Sequence, residues 1–149
     1  MKIIPKKQYI EIMRSLPIFC VDVVLRNSKG EYFLVKRKNE PKKGRWWVIG
    51  GRLLKGESLI DAVRRKVKEE SGQNAKNIKP LGYFELIGGV NPVGLDFKYH
   101  TISIVFSAGV AGNSRVVLDG QSCSYKFSKK LPSDFCIKPI SRFTEIAKM

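Results

Sequence analysis

The stretch from Gly50 to Gly72 constrains this chain more than any other. It runs Gly-Gly-Arg-Leu-Leu-Lys-Gly-Glu and then Ser-Leu-Ile-Asp-Ala-Val-Arg-Arg-Lys-Val-Lys-Glu-Glu-Ser-Gly. Paired glycines leave backbone carbonyls open to close approach, because no side chain intervenes. A helix over Ser58–Ser71 follows. Leu59, Val63 and Val67 form its apolar stripe, Ile60 and Ala62 widen it, and Gly72 ends it. At a helical step of about 100° per residue, Lys66, Glu69 and Glu70 share the face opposite that stripe, which places Glu70 toward solvent. Two adjacent carboxylates beside a bare turn make an oxygen-rich site suited to a hard divalent cation. Arg65, four residues before Glu69, is spaced to hold it.

The rest of the chain alternates between strand and helix patterns. Gln8–Leu16 repeats apolar residues at helical spacing and stops at Pro17. Ile18–Leu25 is rich in β-branched residues and reads as a buried strand, interrupted by Asp22. Asn27–Gly30 is a hairpin turn signal, and Glu31–Lys38 is the return strand. A loop covers Asn39–Arg45, and a short strand covers Trp46–Ile49, ending on the Gly50-Gly51 turn. Strands are expected at Pro80–Ile87 and Thr101–Val110, separated by a Gly-rich loop from Gly88 to Asp96. A short strand at Tyr125–Phe127 and a closing helix at Ile140–Lys148 complete the pattern. With 149 residues, 43% of them hydrophobic, the chain fits one α/β domain spanning 1–149.

No apolar run approaches the roughly 18 residues of a membrane span. The start, Met-Lys-Ile-Ile-Pro-Lys-Lys, continues polar rather than as an apolar signal segment, so the expectation is a cytoplasmic protein without a membrane partner. Cys20, Cys123 and Cys136 are odd in number and form no C-x-x-C pair, which argues against a disulfide framework and against a zinc site. They read as small buried or partly buried thiols. The formal charge of +15 attracts anions such as nucleotides, nucleic acids or acidic membranes. No run of five basic residues and no basic-aromatic pattern singles out nucleic acid among them.

The spacing of Gly51, Glu57, Arg65, Val67, Glu69, Glu70 and Gly72 resembles the Nudix box, G-x5-E-x7-R-E-U-x-E-E-x-G-U with U apolar. Lys66 stands where the pattern has its first helical Glu, and Gln73 where it has a final apolar residue. The resemblance implies an α/β Nudix fold, an α/β/α sandwich with a mixed sheet between helices. It implies a magnesium ion, or manganese in its stead, on Glu70, with the Gly50 carbonyl and Glu69 assisting. It also implies a Glu57–Arg65 pair fixing the loop against the helix, with Gly51 and Gly72 as structural members of the motif. A charged lysine supplies neither a metal ligand nor a base, and Lys66 is expected to pair with Glu70.

Within that family, Arg14-Ser-Leu-Pro17, Val21-Asp-Val-Val24 and Gly44-Arg-Trp-Trp-Val-Ile-Gly-Gly-Arg52 resemble the GDP-mannose mannosyl hydrolase branch; the likeness runs from about Gln8 to Gly72 and continues more weakly through Asp96–His100 to Gln121. That branch attacks the sugar carbon and releases a nucleoside diphosphate and the free sugar. The resemblance implies Arg37 and Arg52 on the diphosphate, where charge grows as the bond breaks. Arg52, Glu69 and Glu70 are the catalytic candidates. The resemblance makes Gln121 a side-chain metal ligand and Asp22 a substrate contact, although Asp22 is as readily a structural hydrogen-bonding group and Gln121 a surface amide. It also suggests a homodimer built with the N-terminal segment.

The branch carries a histidine base directly after the glutamine. Ser122 stands there in this chain, and a hydroxyl has no suitable pKa to activate water near neutrality. The one histidine, His100, reads as a packing or surface residue. Three functions stay open: a magnesium-dependent sugar-nucleotide hydrolase, a phosphorus-attacking pyrophosphohydrolase with Glu69 in water activation, and a non-catalytic nucleotide- or RNA-binding module.

Overall fold

A computed structural model of the chain describes residues 4–110, 115–120 and 122–139. The closing helix expected at Ile140–Lys148, and Gln121, lie outside the described residues. Chain order is α1 (Lys6–Ser15), β1 (Ile18–Arg26), β2 (Tyr32–Arg37), β3 (Trp46–Trp47), β4 (Ile49–Arg52), α2 (Leu59–Ser71), β5 (Ala75–Val90), β6 (Lys98–Val110), β7 (Ser122–Ser128) and β8 (Lys138–Pro139).

β1 is the centre of a mixed sheet. It runs parallel to β6 along its whole length, from Ile18 opposite Thr101 to Arg26 opposite Gly109. On its other edge Cys20–Val23 pair antiparallel with Arg52–Ile49. The strand order is β3-β2-β1-β6-β5-β8, with β7 joining β2. The parallel β1–β6 pair among antiparallel neighbours gives the mixed α/β fold expected from the sequence.

The apolar stripe of α2 packs Ala62, Val63 and Val67 against Val21, Val23, Leu25, Phe33 and Ile49 on one face of the sheet. On the opposite face Val24, Leu34, Trp47, Val48 and Val105 meet Phe135. α1 buries Met13 with Ile18, Cys20 and Tyr99. Leu16 is extended, as a residue before proline prefers.

Ser58 caps α2 by accepting a hydrogen bond from Asp61 N, so the helix proper starts at Leu59. Gly72 ends it in the left-handed region, φ 72°, donating to Lys68 O. The face expected toward solvent is not exposed throughout: Lys66 and Glu70 are buried, at 6% and 5% exposure. Gly50 and Gly51 of β4 lie against them.

Other differences are local. Gly50 and Gly51 are not a turn but strand residues, opposite Asp22 and Val21. A Cβ on Gly50 would collide with the Val21 carbonyl and the Asp22 carboxylate, so glycine is required by close strand approach. β5 is longer at both ends than its apolar stretch suggested. It is irregular where Asn77 takes a positive φ of 52° and where Gly88 and Gly89 interrupt its pairing. The following loop is organised by fully buried Asn91, whose amide donates to Leu95 O and Phe97 O. β7 extends from Ser122 to Ser128 because Phe33 packs against both Tyr125 and Phe127. Of the cysteines only Cys20 is buried. Cys123 and Cys136 are exposed, and all three are free thiols.

Candidate active site

A cleft of about 430 Å³ opens beside the N-terminal half of β1, the strand β4 and the exposed flank of α2. Asp22, Arg37, Gly50, Gly51, Arg52, Arg65, Lys66 and Glu69 all line it. Most of the residues singled out in the sequence therefore converge on one place. Glu70 lies directly behind this wall, accepting from Gly50 N at 3.3 Å.

Arg65 is the hub of the motif. Its guanidinium makes two bonds to Glu57, at 2.6 and 2.9 Å. It donates a third to the Arg52 carbonyl at 3.0 Å and reaches Glu69 at 3.2 Å. A planar fork with several donors suits this task, and a lysine could not make all four contacts at once. Glu57 in turn accepts from Leu54 N, which closes the loop between β4 and α2. The bonds to Arg65 hold the Glu57 carboxyl below the usual carboxylate range.

Lys66 lies on the inner side of the same helix. Its ammonium is 2.7 Å from Glu70 Oε1 and 3.2 Å from Glu69 Oε2. Burial alone would favour the neutral amine, but the carboxylates outweigh it and the Lys66 pKa is raised. Burial also pushes Glu70 upward, against the pull of Lys66. The side chain occupies the space a Cβ of Gly51 would need, with Lys66 Cε 3.0 Å and Nζ 3.3 Å from that position. The bareness of Gly51 thus admits a lysine arm.

These donors suit a hard divalent cation. Two carboxylates converge on one point, and the Lys66 ammonium is a stand-in cation marking it. Among the described residues no group of three or more Asp, Glu, His or Cys side chains converges to hold a metal ion. One or two carboxylates completed by phosphate oxygens is the usual manner of magnesium binding.

Arg52 leaves the end of β4 with its guanidinium carbon 4.2 Å above the Tyr9 ring of α1. Tyr9 also bonds the Tyr99 hydroxyl of β6, which links helix, sheet and Arg52. Arg37, at the end of β2, donates Nε to the Pro41 carbonyl at 2.8 Å and so faces the cleft from the loop over 38–45. Tyr9, Phe84, Leu86, Pro92 and Tyr99 complete the wall. The sequence reading missed this apolar side, since its residues come from four separate segments with no shared spacing. Tyr9 itself reads in the sequence only as one more residue of the apolar face of α1, beside Ile12 and Met13.

Asp22 sits over Gly50, partly open to the cleft. Burial raises its pKa to about 6, against the opposing pull of the Ser103 hydroxyl and Arg37. The folded state therefore takes up a proton between about pH 4 and 6 that the unfolded chain does not hold. Stability from this group is present below pH 4 and lost as pH rises through 6, by about 1–3 kcal/mol. Asp22→Asn is expected to remove that slope. Denaturant midpoints at pH 4.5 and 8 should diverge more in the parent than in the variant. Equal slopes would show that Asp22 titrates alike in both states.

Ser122 is buried opposite Arg37 on β7 and does not line the cleft. His100 lies on β6 with Nε2 3.5 Å from Glu85 Oε1, also outside the cleft, as expected of a packing residue.

A loop, a capped helix, and the carboxylates of Glu57 and Glu69 locked by Arg65 stand together on a mixed α/β sheet. The NUDIX domain family matches residues 17–128, and the chain belongs to the Nudix family. It is 37% identical over 98 residues to the low-salt glycan biosynthesis protein Agl8 of Haloferax volcanii, covering 65% of this chain and 62% of that protein. It is 36% identical over 112 residues to an ADP-ribose pyrophosphatase of Methanocaldococcus jannaschii, covering 74% of this chain. The match spans 62% of the length of each of these two relatives. Among solved structures, a MutT NUDIX hydrolase from Burkholderia pseudomallei superposes with a TM-score of 0.64 at 24% identity, covering 89% of this chain and 96% of that one. A MutT protein from Methanosarcina mazei does so at 0.58 and 28%, covering 89% and 97%.

Proposed function

We propose that the chain is a Nudix hydrolase that cleaves a nucleoside diphosphate-linked sugar of GDP-mannose type into the nucleoside diphosphate and the free sugar. The observation carrying this reading is the cationic wall of the cleft: Arg37 and Arg52 line it together beside the carboxylate pair. Fixed cations positioned before reaction lower the cost of charge growing on a departing diphosphate. Arg52 and Arg37 bind the diphosphate, Asp22 contacts the substrate, and the apolar wall of Phe84 and Leu86 receives an uncharged part of it. Glu70, Glu69 and the Gly50 carbonyl would hold a magnesium or manganese ion, with Gln121 as a further ligand. Such an ion supplies Lewis-acid stabilisation of the leaving diphosphate. In the same reading the enzyme works in the cytoplasm as a homodimer joined through its N-terminal segment. Leu16 and Phe19 are exposed beside α1, as that requires. Among the described residues no helix is long and apolar enough to cross a membrane.

A second reading has one observation of its own. Glu69 faces the cleft whereas Ser122 does not, so the carboxylate better placed to activate water favours attack on phosphorus. Product analysis on a panel of nucleotide sugars in oxygen-18 water separates the two. Label on the free sugar, with a nucleoside diphosphate as co-product, is the expected result. Label on a phosphate and release of a nucleoside monophosphate would replace the first reading by the second. No turnover, with nucleotide or RNA binding retained, would make this a binding module.

A further inference from the structure

Lys66 sits where a divalent ion would bind its two carboxylates. Its Nζ is 2.7 Å from Glu70 and 3.2 Å from Glu69, within bonding range of both. The arrangement is built rather than incidental. The side chain is only 7% exposed, and it threads past Gly51 at a distance no residue with a Cβ would allow without displacement. Glu70 is fixed from a second direction by Gly50 N, and Glu69 by Arg65. A surface lysine finds a carboxylate by chance at small gain. A lysine held between two carboxylates, one of them buried, neutralises charge that the fold could not otherwise bury.

We propose that Lys66 is the resident cation of the Glu69–Glu70 pair, and that a divalent ion binds there only by displacing its ammonium. Metal affinity of the nucleotide-free chain is therefore weak, and it is set by this competition rather than by the number of carboxylates. An ammonium and a divalent ion cannot share one point between the same oxygens, because each needs the same lone pairs and they repel one another. The inference rests on the preceding reading only for the choice of ion.

The test uses manganese alone, without nucleotide, so its outcome is independent of which substrate the enzyme cleaves. Binding is followed by the loss of the free-ion spin-resonance signal for the parent chain, Lys66→Met and Lys66→Arg, each checked for folding by circular dichroism. Lys66→Met is expected to bind manganese at least tenfold more tightly than the parent. Lys66→Arg, which keeps the charge, should stay near the parent. Equal affinity in the parent and Lys66→Met would overturn the proposal. Should Lys66→Met fail to fold, the parent alone decides. The Lys66 ammonium resonance, slowed in exchange by its two carboxylate bonds, should shift or vanish as magnesium is titrated in. A resonance unchanged at magnesium saturation would overturn the proposal just as directly.

Discussion

Glu70→Gln is expected to lose metal-dependent turnover by more than about 100-fold, since altering even an outer partner of a metal ligand costs roughly 10–100-fold. The structure adds a second effect. Glu70 is buried and bonded to Lys66 at 2.7 Å, so a neutral amide leaves that ammonium with Glu69 as its remaining charged partner. The cost to folding should be about 1–3 kcal/mol, below the roughly 3–5 kcal/mol of a buried pair broken outright, because the amide oxygen still accepts a bond. Denaturant unfolding measures the stability part, and assays of the folded fraction measure the rest. Parent-like turnover in folded Glu70→Gln would remove Glu70 from the site.

Arg52→Gln should lower the turnover number by about 10²–10³-fold, or about 2.7–4 kcal/mol, with a smaller effect on the Michaelis constant. The guanidinium is held over Tyr9 before substrate arrives, which is what a preorganised donor requires. In the proposed reaction it would answer charge that develops as the bond breaks, so its loss should weigh on the transition state more than on substrate binding. Arg37 differs in being tied to the Pro41 carbonyl of a loop. A rise in the Michaelis constant alone for Arg52→Gln would reduce Arg52 to a ground-state contact.

Much of the helix α2 was legible because its signals are local: the apolar stripe, Gly72 at its end and Arg65 four residues before Glu69. The Glu57–Arg65 and Lys66–Glu70 pairs were expected from the family resemblance, and the structure contains both. Spacing did not reveal that Glu70 would be buried, because Gly50 of β4, which lies against it, is outside its own helix. The Gly50-Gly51 pair was misread as a turn for a similar reason. Gly50 answers to the Val21 carbonyl and the Asp22 carboxylate across the sheet, a contact that only the register of β1 and β4 creates, and Gly51 answers to the Lys66 side chain. The start of β5 was hidden by Lys76 and Lys79, which lack the apolar signature of a strand yet pair with β6 on either side of the irregularity at Asn77. The apolar half of the cleft was invisible in the sequence because Tyr9, Phe84 and Tyr99 meet only in the folded chain.

The contact between Tyr9 and Arg52 bears on how the protein is handled. The family match begins at residue 17, and Tyr9 lies before it. A shortened chain trimmed to that boundary would keep every residue of the box and lose the aromatic ring that steadies Arg52. Its kinetics would describe a different catalyst, even if it crystallised readily and melted at a similar temperature. For this fold the working boundary of the enzyme is set by what touches the cleft, and that boundary lies a full helix upstream of the family's.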